Sequence, residues 1–182
     1  MQALSINPLE GEVKEIEIQM QANTVYSFFN SILIDELLAI NEHVVYADAN
    51  ALSKRQKAYF LGERLVLGNA LVHAKAGMED RDVVITKEEL ESLINLNVNK
   101  FYLDVLELLS STNINLYRTF IVLRGDEKVE LNAEWVLYTF NIADERTQEY
   151  FVSELQKAIS SDQNIEEYIK KMATLALNAA GN

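Results

Sequence analysis

Phe60 to Lys75 reads FLGERLVLGNALVHAK. From Arg64 to Ala74 it is rich in Leu and Val, so it reads as one strand. Gly68 sits inside that strand. A glycine weakens a strand interior unless the chain bends there or a neighbouring segment presses on the backbone. Gly68 is therefore expected at a place where a side chain would clash or the sheet turns.

Working back from this run, Ser53 followed by Gln56 has the spacing of a capping box and opens a short helix, KRQKAYF, that Gly62 ends. HVVYA, before the turn at DAN, reads as a strand. The segment NTVYSFFNSILIDELLAI carries Val25, Phe28, Phe29, Ile32 and Leu33 at helical spacing, with Asn23 as N-cap. QALSIN and VKEIEIQM alternate as two strands around a turn at Pro8–Gly11.

Working forward, VVI is a brief strand. Thr86 and Glu89 form a second capping box. It opens a long helix from Lys87 to Leu109, with Leu90, Ile94, Phe101, Val105 and Leu108 on its main face. Leu93, Leu96, Leu103 and Leu106 fall outside that face, so the helix needs cover on more than one side. Closed two-fold pairing would supply it, and a homo-oligomer, a homodimer first, is expected. YRTFIVL, KVEL and EWVLYTFNI follow as strands, with Gly125–Asp126 as a hairpin turn and Val136, Tyr138, Phe140 and Ile142 alternating. The first of the three can equally be a helix capped by Asn113. Two helices close the chain, one with Phe151, Leu155 and Ile159, the other with Ile165, Ile169 and Met172.

The fold class that results is α+β. A small N-terminal mixed sheet packs on a helix over residues 1–77, and an acidic, mainly helical module spans 78–182. The chain has 182 residues, 49% of them hydrophobic, enough for a sizeable core. No apolar run is long enough for a membrane span, and the N-terminus lacks the basic-then-apolar pattern of a signal peptide. The absence of cysteine removes disulfides, thiolate metal sites and cysteine nucleophiles, and fits a cytoplasmic protein.

Chemical motifs are few. The two histidines, His43 and His73, stand in no ligand spacing, and no glycine-rich phosphate loop or serine elbow occurs. No cofactor and no metal is expected. Glu79, Asp80 and Asp82 are the nearest approach to a cation site, and a solvated loop explains them. Lys54, Arg55 and Lys57, beside Tyr59 and Phe60, form the sole basic cluster and the candidate contact for nucleic acid. RGD at Arg124–Asp126 is read as the hairpin turn.

The net charge of −12 works against binding phosphates. It is uneven: residues 1–77 hold 9 acidic and 6 basic side chains, residues 78–182 hold 19 and 10. The acidic C-terminal half, with Glu127, Glu130, Glu134, Asp144 and Glu145, is the candidate surface for a basic protein partner.

The order HVVYADANAL, SKRQKAYFLG, RLVLGNALV resembles a small domain of unknown function that recurs in phage, plasmid and other mobile-element proteins, the domain-of-unknown-function 3846 family. In that family a strand, turn, strand and helix lead to a strand, an Asn-containing turn, an Ala-rich segment and a closing apolar run with Gly-Asn/Pro-Ala. Asn50, Ala58, Gly68, Asn69, Ala70 and Val72 occupy matching places, and the likeness covers about residues 1–75. The resemblance brings no catalytic residues. It implies an accessory protein of a phage or mobile element, and with the charge it points to a non-catalytic binder of a host or defence protein. A structural homo-oligomer and a nucleic-acid accessory protein are the alternatives.

Overall fold

Six residues at the N-terminus, Gln2–Asn7 (β1), pair antiparallel with Glu12–Glu17 (β2) around the turn at Gly11. Both strands lie near where they were expected, but β1 is buried on both faces, Ala3 on one and Leu4 and Ile6 on the other, rather than on one face. The computed structural model describes residues 1–40, 43–76 and 79–180. The chain divides into two compact units, Met1–Val98 and Asn99–Asn182.

In the first unit, β1 and β2 are followed by a helix, Ala22–Phe29 (α1). It starts after Gln21, not at Asn23, and Gln21 makes no side-chain cap. The helix expected to run to Ile40 stops at Asn30, whose φ of +48° is left-handed, and Ser31 N–H closes the end on Tyr26 O at 3.0 Å. Ile32 and Leu33 are exposed beyond it. Ile34–Ile40 (β3) is instead a strand, because its neighbour His43–Asp48 (β4) offers a full antiparallel ladder.

Ala58–Leu61 (β5) and Arg64–Leu67 (β6) form a hairpin. The helix expected over KRQKAYF is therefore absent. Ser53 Oγ donates to Asn50 O at 2.9 Å, Arg55 is left-handed with φ of +52°, and both belong to a run of turns. The single strand expected from Arg64 to Ala74 is two: β6 ends at Leu67, and Ala70–Ala76 (β7) begins past Gly68. Glu79–Arg81 (β8) pairs with β7. The expected strand at VVI lies just downstream and is irregular.

The main sheet runs β2-β1-β7-β4-β3, with β8 beside β7. The sheet expected to be mixed is antiparallel at every described pairing: short hairpins or returns join β1 to β2, β3 to β4 and β7 to β8, and β7 returns antiparallel between β1 and β4. Ala3 and Leu71 on one face pack with Ile18 and with Val25 and Phe29 of α1. Leu4, Ile6, Val72, Val45 and Ala47 on the other face are buried too. At roughly 1.5–3 kcal/mol for each large aliphatic side chain, this two-sided burial holds the unit together.

The long helix of residues 87–109 is broken. Lys87–Ser92 (α2) keeps its capping box at Thr86 and Glu89, then Ile94–Asn95 (β9) pairs with β5, and Asn99 N-caps a second helix, Lys100–Leu109 (α3). Asn95, Asn97 and Asn99 explain the break, because Asn side chains compete with the helix for backbone groups: Asn95 Oδ1 takes Asn97 N–H at 2.9 Å and Asn99 Oδ1 takes Tyr102 N–H at 3.1 Å. β8 pairs with β7, α2 lies beside β2 and β9 pairs with β5. The unit boundary thus falls after Val98 rather than after Gly77.

The second unit holds α3, a hairpin of Phe120–Arg124 (β10) and Glu127–Leu131 (β11), and three helices, Ala133–Asn141 (α4), Glu145–Ser160 (α5) and Ile165–Ala180 (α6). The hairpin and the last two helices lie where expected. Residues 112–119 are irregular, and the strand starts at Phe120. EWVLYTFNI is helix, not strand. Its alternation also fits a helix, because Ala133, Val136, Leu137 and Phe140 share one buried side while Tyr138 and Ile142 are exposed. Asn132 decides the matter by accepting Trp135 N–H at 2.9 Å as an N-cap. Phe151 is wholly buried, with Phe140 stacked on it at 4.4 Å and Phe101 at 6.0 Å between ring centres. Among the described residues no helix is long and apolar enough to cross a membrane.

Candidate interaction surface

The turns between β4 and β5 place the basic cluster. Lys54 Nζ lies 2.6 Å from Asp48 Oδ2 and donates to Asn30 O at 3.2 Å. Asp48 is only 2% exposed, so Lys54 serves to pair a buried carboxylate. Arg55 and Lys57 are exposed, and the Lys57 carbonyl accepts Gly68 N–H at 2.8 Å. The three cations do not make one open face, since the first is turned to the protein.

Gly68 has φ of +72°. A Cβ built there would lie 1.6 Å from Gln56 Oε1 and 3.1 Å from Gln56 Cβ. Both expected reasons for this glycine hold together: the chain bends, and the Gln56 side chain occupies the space.

The acidic set divides. Glu134 is only 7% exposed, so it leaves the surface. It sits in the first turn of α4, where burial of Ala133, Val136 and Leu137 draws it in. Asp144 is the N-cap of α5, accepting Thr147 N–H at 2.9 Å and Thr147 Oγ1 at 2.8 Å, and the backbone bond above all holds its carboxyl below its ordinary range. Glu127 pairs with Arg124 at 2.8 Å. Glu130 and Glu145 remain exposed, and Glu149, one turn along α5 from Glu145, joins them. No cation pairs with these three among the described residues. The charge asymmetry expected between the halves also disappears at the true boundary: residues 1–98 hold 15 acidic and 8 basic side chains, a balance of −7, and residues 99–182 hold 13 and 8, a balance of −5. The segment 78–98 had carried the difference.

Pairing of β4 with β7 and β3 assembles a polar cluster that spacing along the chain did not reveal. Tyr46 stacks on His73 at 5.2 Å, and Lys75 Nζ lies 3.3 Å from Glu36 Oε2. His73 Nδ1 donates to Ala74 O at 2.9 Å and lies 3.7 Å from Asp80 Oδ1. Burial pushes the Tyr46 hydroxyl above its ordinary range. His73 is wholly buried, so its ring offers no proton to a molecule in solvent. A hollow of about 560 Å³ beside the cluster is lined by Lys75 and Arg81 against Asp80 and Asp82, charges that offset one another. Asp82 also accepts Gln2 N–H at 2.7 Å. The Glu79 side chain lies outside the described residues, and among those described no three His, Asp or Glu side chains converge as a metal site.

The hairpin of the second unit shows the other exposed feature. Ile121 and Leu123 are 58% and 57% exposed, while Val122 between them is 5% exposed and buried on the side of α6. Their cross-strand neighbours on the open face are Glu130 and Lys128. Comparison with family models, curated proteins and solved structures finds no match.

Proposed function

We propose that this protein is a non-catalytic accessory protein of a phage or mobile element that binds a basic region of a host or defence protein. The observation that carries the reading is the exposed, cation-free trio Glu130, Glu145 and Glu149. Arg124 is engaged with Glu127, Lys157 with Glu154 and Lys170 with Glu166 and Glu167, and with Lys128 and Arg146 counted the second unit still has a net charge of −5. The second unit therefore carries excess negative charge that a cationic partner would neutralise. The mobile-element setting rests on the resemblance of residues 1–75. The test is affinity capture from a bacterial lysate at low salt, with the wild-type chain and with a Glu130→Lys/Glu145→Lys/Glu149→Lys variant. The wild type should retain a basic protein that salt elutes, and the variant should not. Equal capture by both chains would sink the assignment of the surface.

A further inference from the structure

The hairpin β10–β11 stands alone as a two-stranded sheet, and among the described residues β10 pairs only with β11. Its loop is the two residues Gly125 and Asp126, so Arg124 and Glu127 face each other across the turn and exchange their backbone bonds. Bonding then alternates along β10. Val122 and Phe120 turn toward β11, while Ile121 and Leu123 turn their N–H and C=O groups to the open edge. These are the same two residues whose side chains are exposed. An unpaired, apolar strand edge is a template for another strand.

We propose that this edge pairs with the same edge of a second copy, antiparallel about a two-fold axis through Val122. Ile121 then lies opposite Leu123 of the second copy, and Leu123 opposite its Ile121. Four exposed apolar side chains join in one stripe on the outer face. The charges that flank the strand choose this register. This register overlaps the whole of β10, Phe120–Arg124, and brings Arg118, just before the strand, to the end of the second copy's strand where its turn carries Asp126, on both sides of the axis. A slip of two residues one way sets Arg118 against Arg124, a like-charge pair. The same slip the other way runs Ile121 against Gly125 at the turn and carries Arg118 past the strand end. A slip of one residue reverses the faces. The interface is isologous, so it closes at two copies. It joins the two hairpins into one four-stranded sheet.

The test is sedimentation of the full chain over a concentration series up to about 100 µM, the regime where an interface smaller than the usual protein–protein size associates. The wild type should move from the single-chain mass of 20.7 kDa toward twice that value. Leu123→Lys should stay monomeric with an unchanged circular dichroism spectrum. Asp126→Lys alone should weaken the dimer at least tenfold, and adding Arg118→Glu should restore it, because the opposite pair is re-formed with its signs exchanged. A single-chain mass at all concentrations overturns the proposal. So does a dimer indifferent to Leu123→Lys, or one that the double exchange does not recover. A monomer whose Leu123→Lys variant instead loses a captured host protein gives the edge to another occupant and overturns it as well.

Discussion

Gly68 joins sequence to structure at a single atom. Its φ of +72° is a conformation that costs an L-residue roughly 1–2 kcal/mol, and Gln56 fills the site of a Cβ. Gly68→Val should lower stability by about 1–3 kcal/mol, read from the midpoint of chemical unfolding. Gln56→Ala in the same chain should return only the steric part; full recovery would show that backbone strain contributes nothing. His43 makes a second prediction. Its Nδ1 donates to Ile40 O at 2.9 Å, leaving Nε2 to accept Val84 N–H at 3.0 Å and Ile85 N–H at 3.1 Å. This ring ties the irregular segment after β8 to β4. His43→Leu would remove the acceptor of both amides, and because Val84 is exposed and water can take its N–H, the loss should be about 1–3 kcal/mol in total. His43→Gln offers an acceptor and should lose less, and equal losses would mean that packing, not hydrogen bonding, matters there. The sequence showed only that His43 stands in no ligand spacing, and its partners were not legible because the bonds span 41 and 42 residues.

At the scale of elements, one cap was legible, while other caps and most lengths were not. Thr86 and Glu89 form the capping box that their spacing implies. Asn132 and Asn99 cap α4 and α3, yet an alternating apolar pattern in one case and an apolar stripe in the other concealed the helix start. Val136 and Phe140 lie four apart, a spacing that strand and helix both satisfy, so only a polar cap distinguishes them. The strand β3 carries no clear alternation and is specified by β4, a tertiary partner that local pattern cannot show. The break at residues 95–99 also removes the continuous helix on which the expected dimer was argued. Asp144 gives the prediction at this scale. Its carboxyl is held down by Thr147, so the charged cap contributes stability above the unfolded-state value and loses it as pH falls through the lower folded one. Asp144→Asn keeps an acceptor without a titrating group. Its melting temperature should fall less than the wild type's below about pH 4. Parallel melting curves for the two chains would exclude this cap as a source of acid sensitivity.

For the whole molecule, the decisive quantity is the distribution of charge rather than its sum. Both units are negative, at −7 and −5, so neither unit offers a basic body to DNA. The one cationic cluster is diminished by the 2.6 Å pair between Lys54 and Asp48, which a phosphate could displace only by leaving a buried carboxylate unpaired. Lys54, Arg55 and Lys57 are all exposed, but three cations, one of them held by Asp48, on a chain of net charge −12 release too few counterions to offset the repulsion. The chain should therefore leave duplex and single-stranded DNA unretarded in a gel at low salt. Association with a basic protein should weaken steeply as salt is raised, because exposed charges are screened beyond about 10 Å at 0.1 M. The two measurements belong together: a salt-sensitive protein complex with no DNA shift is the expected pair. DNA retention that falls when Arg55 and Lys57 are replaced by alanine would reverse the reading and make the β4–β5 turns, not the carboxylates of the second unit, the working surface.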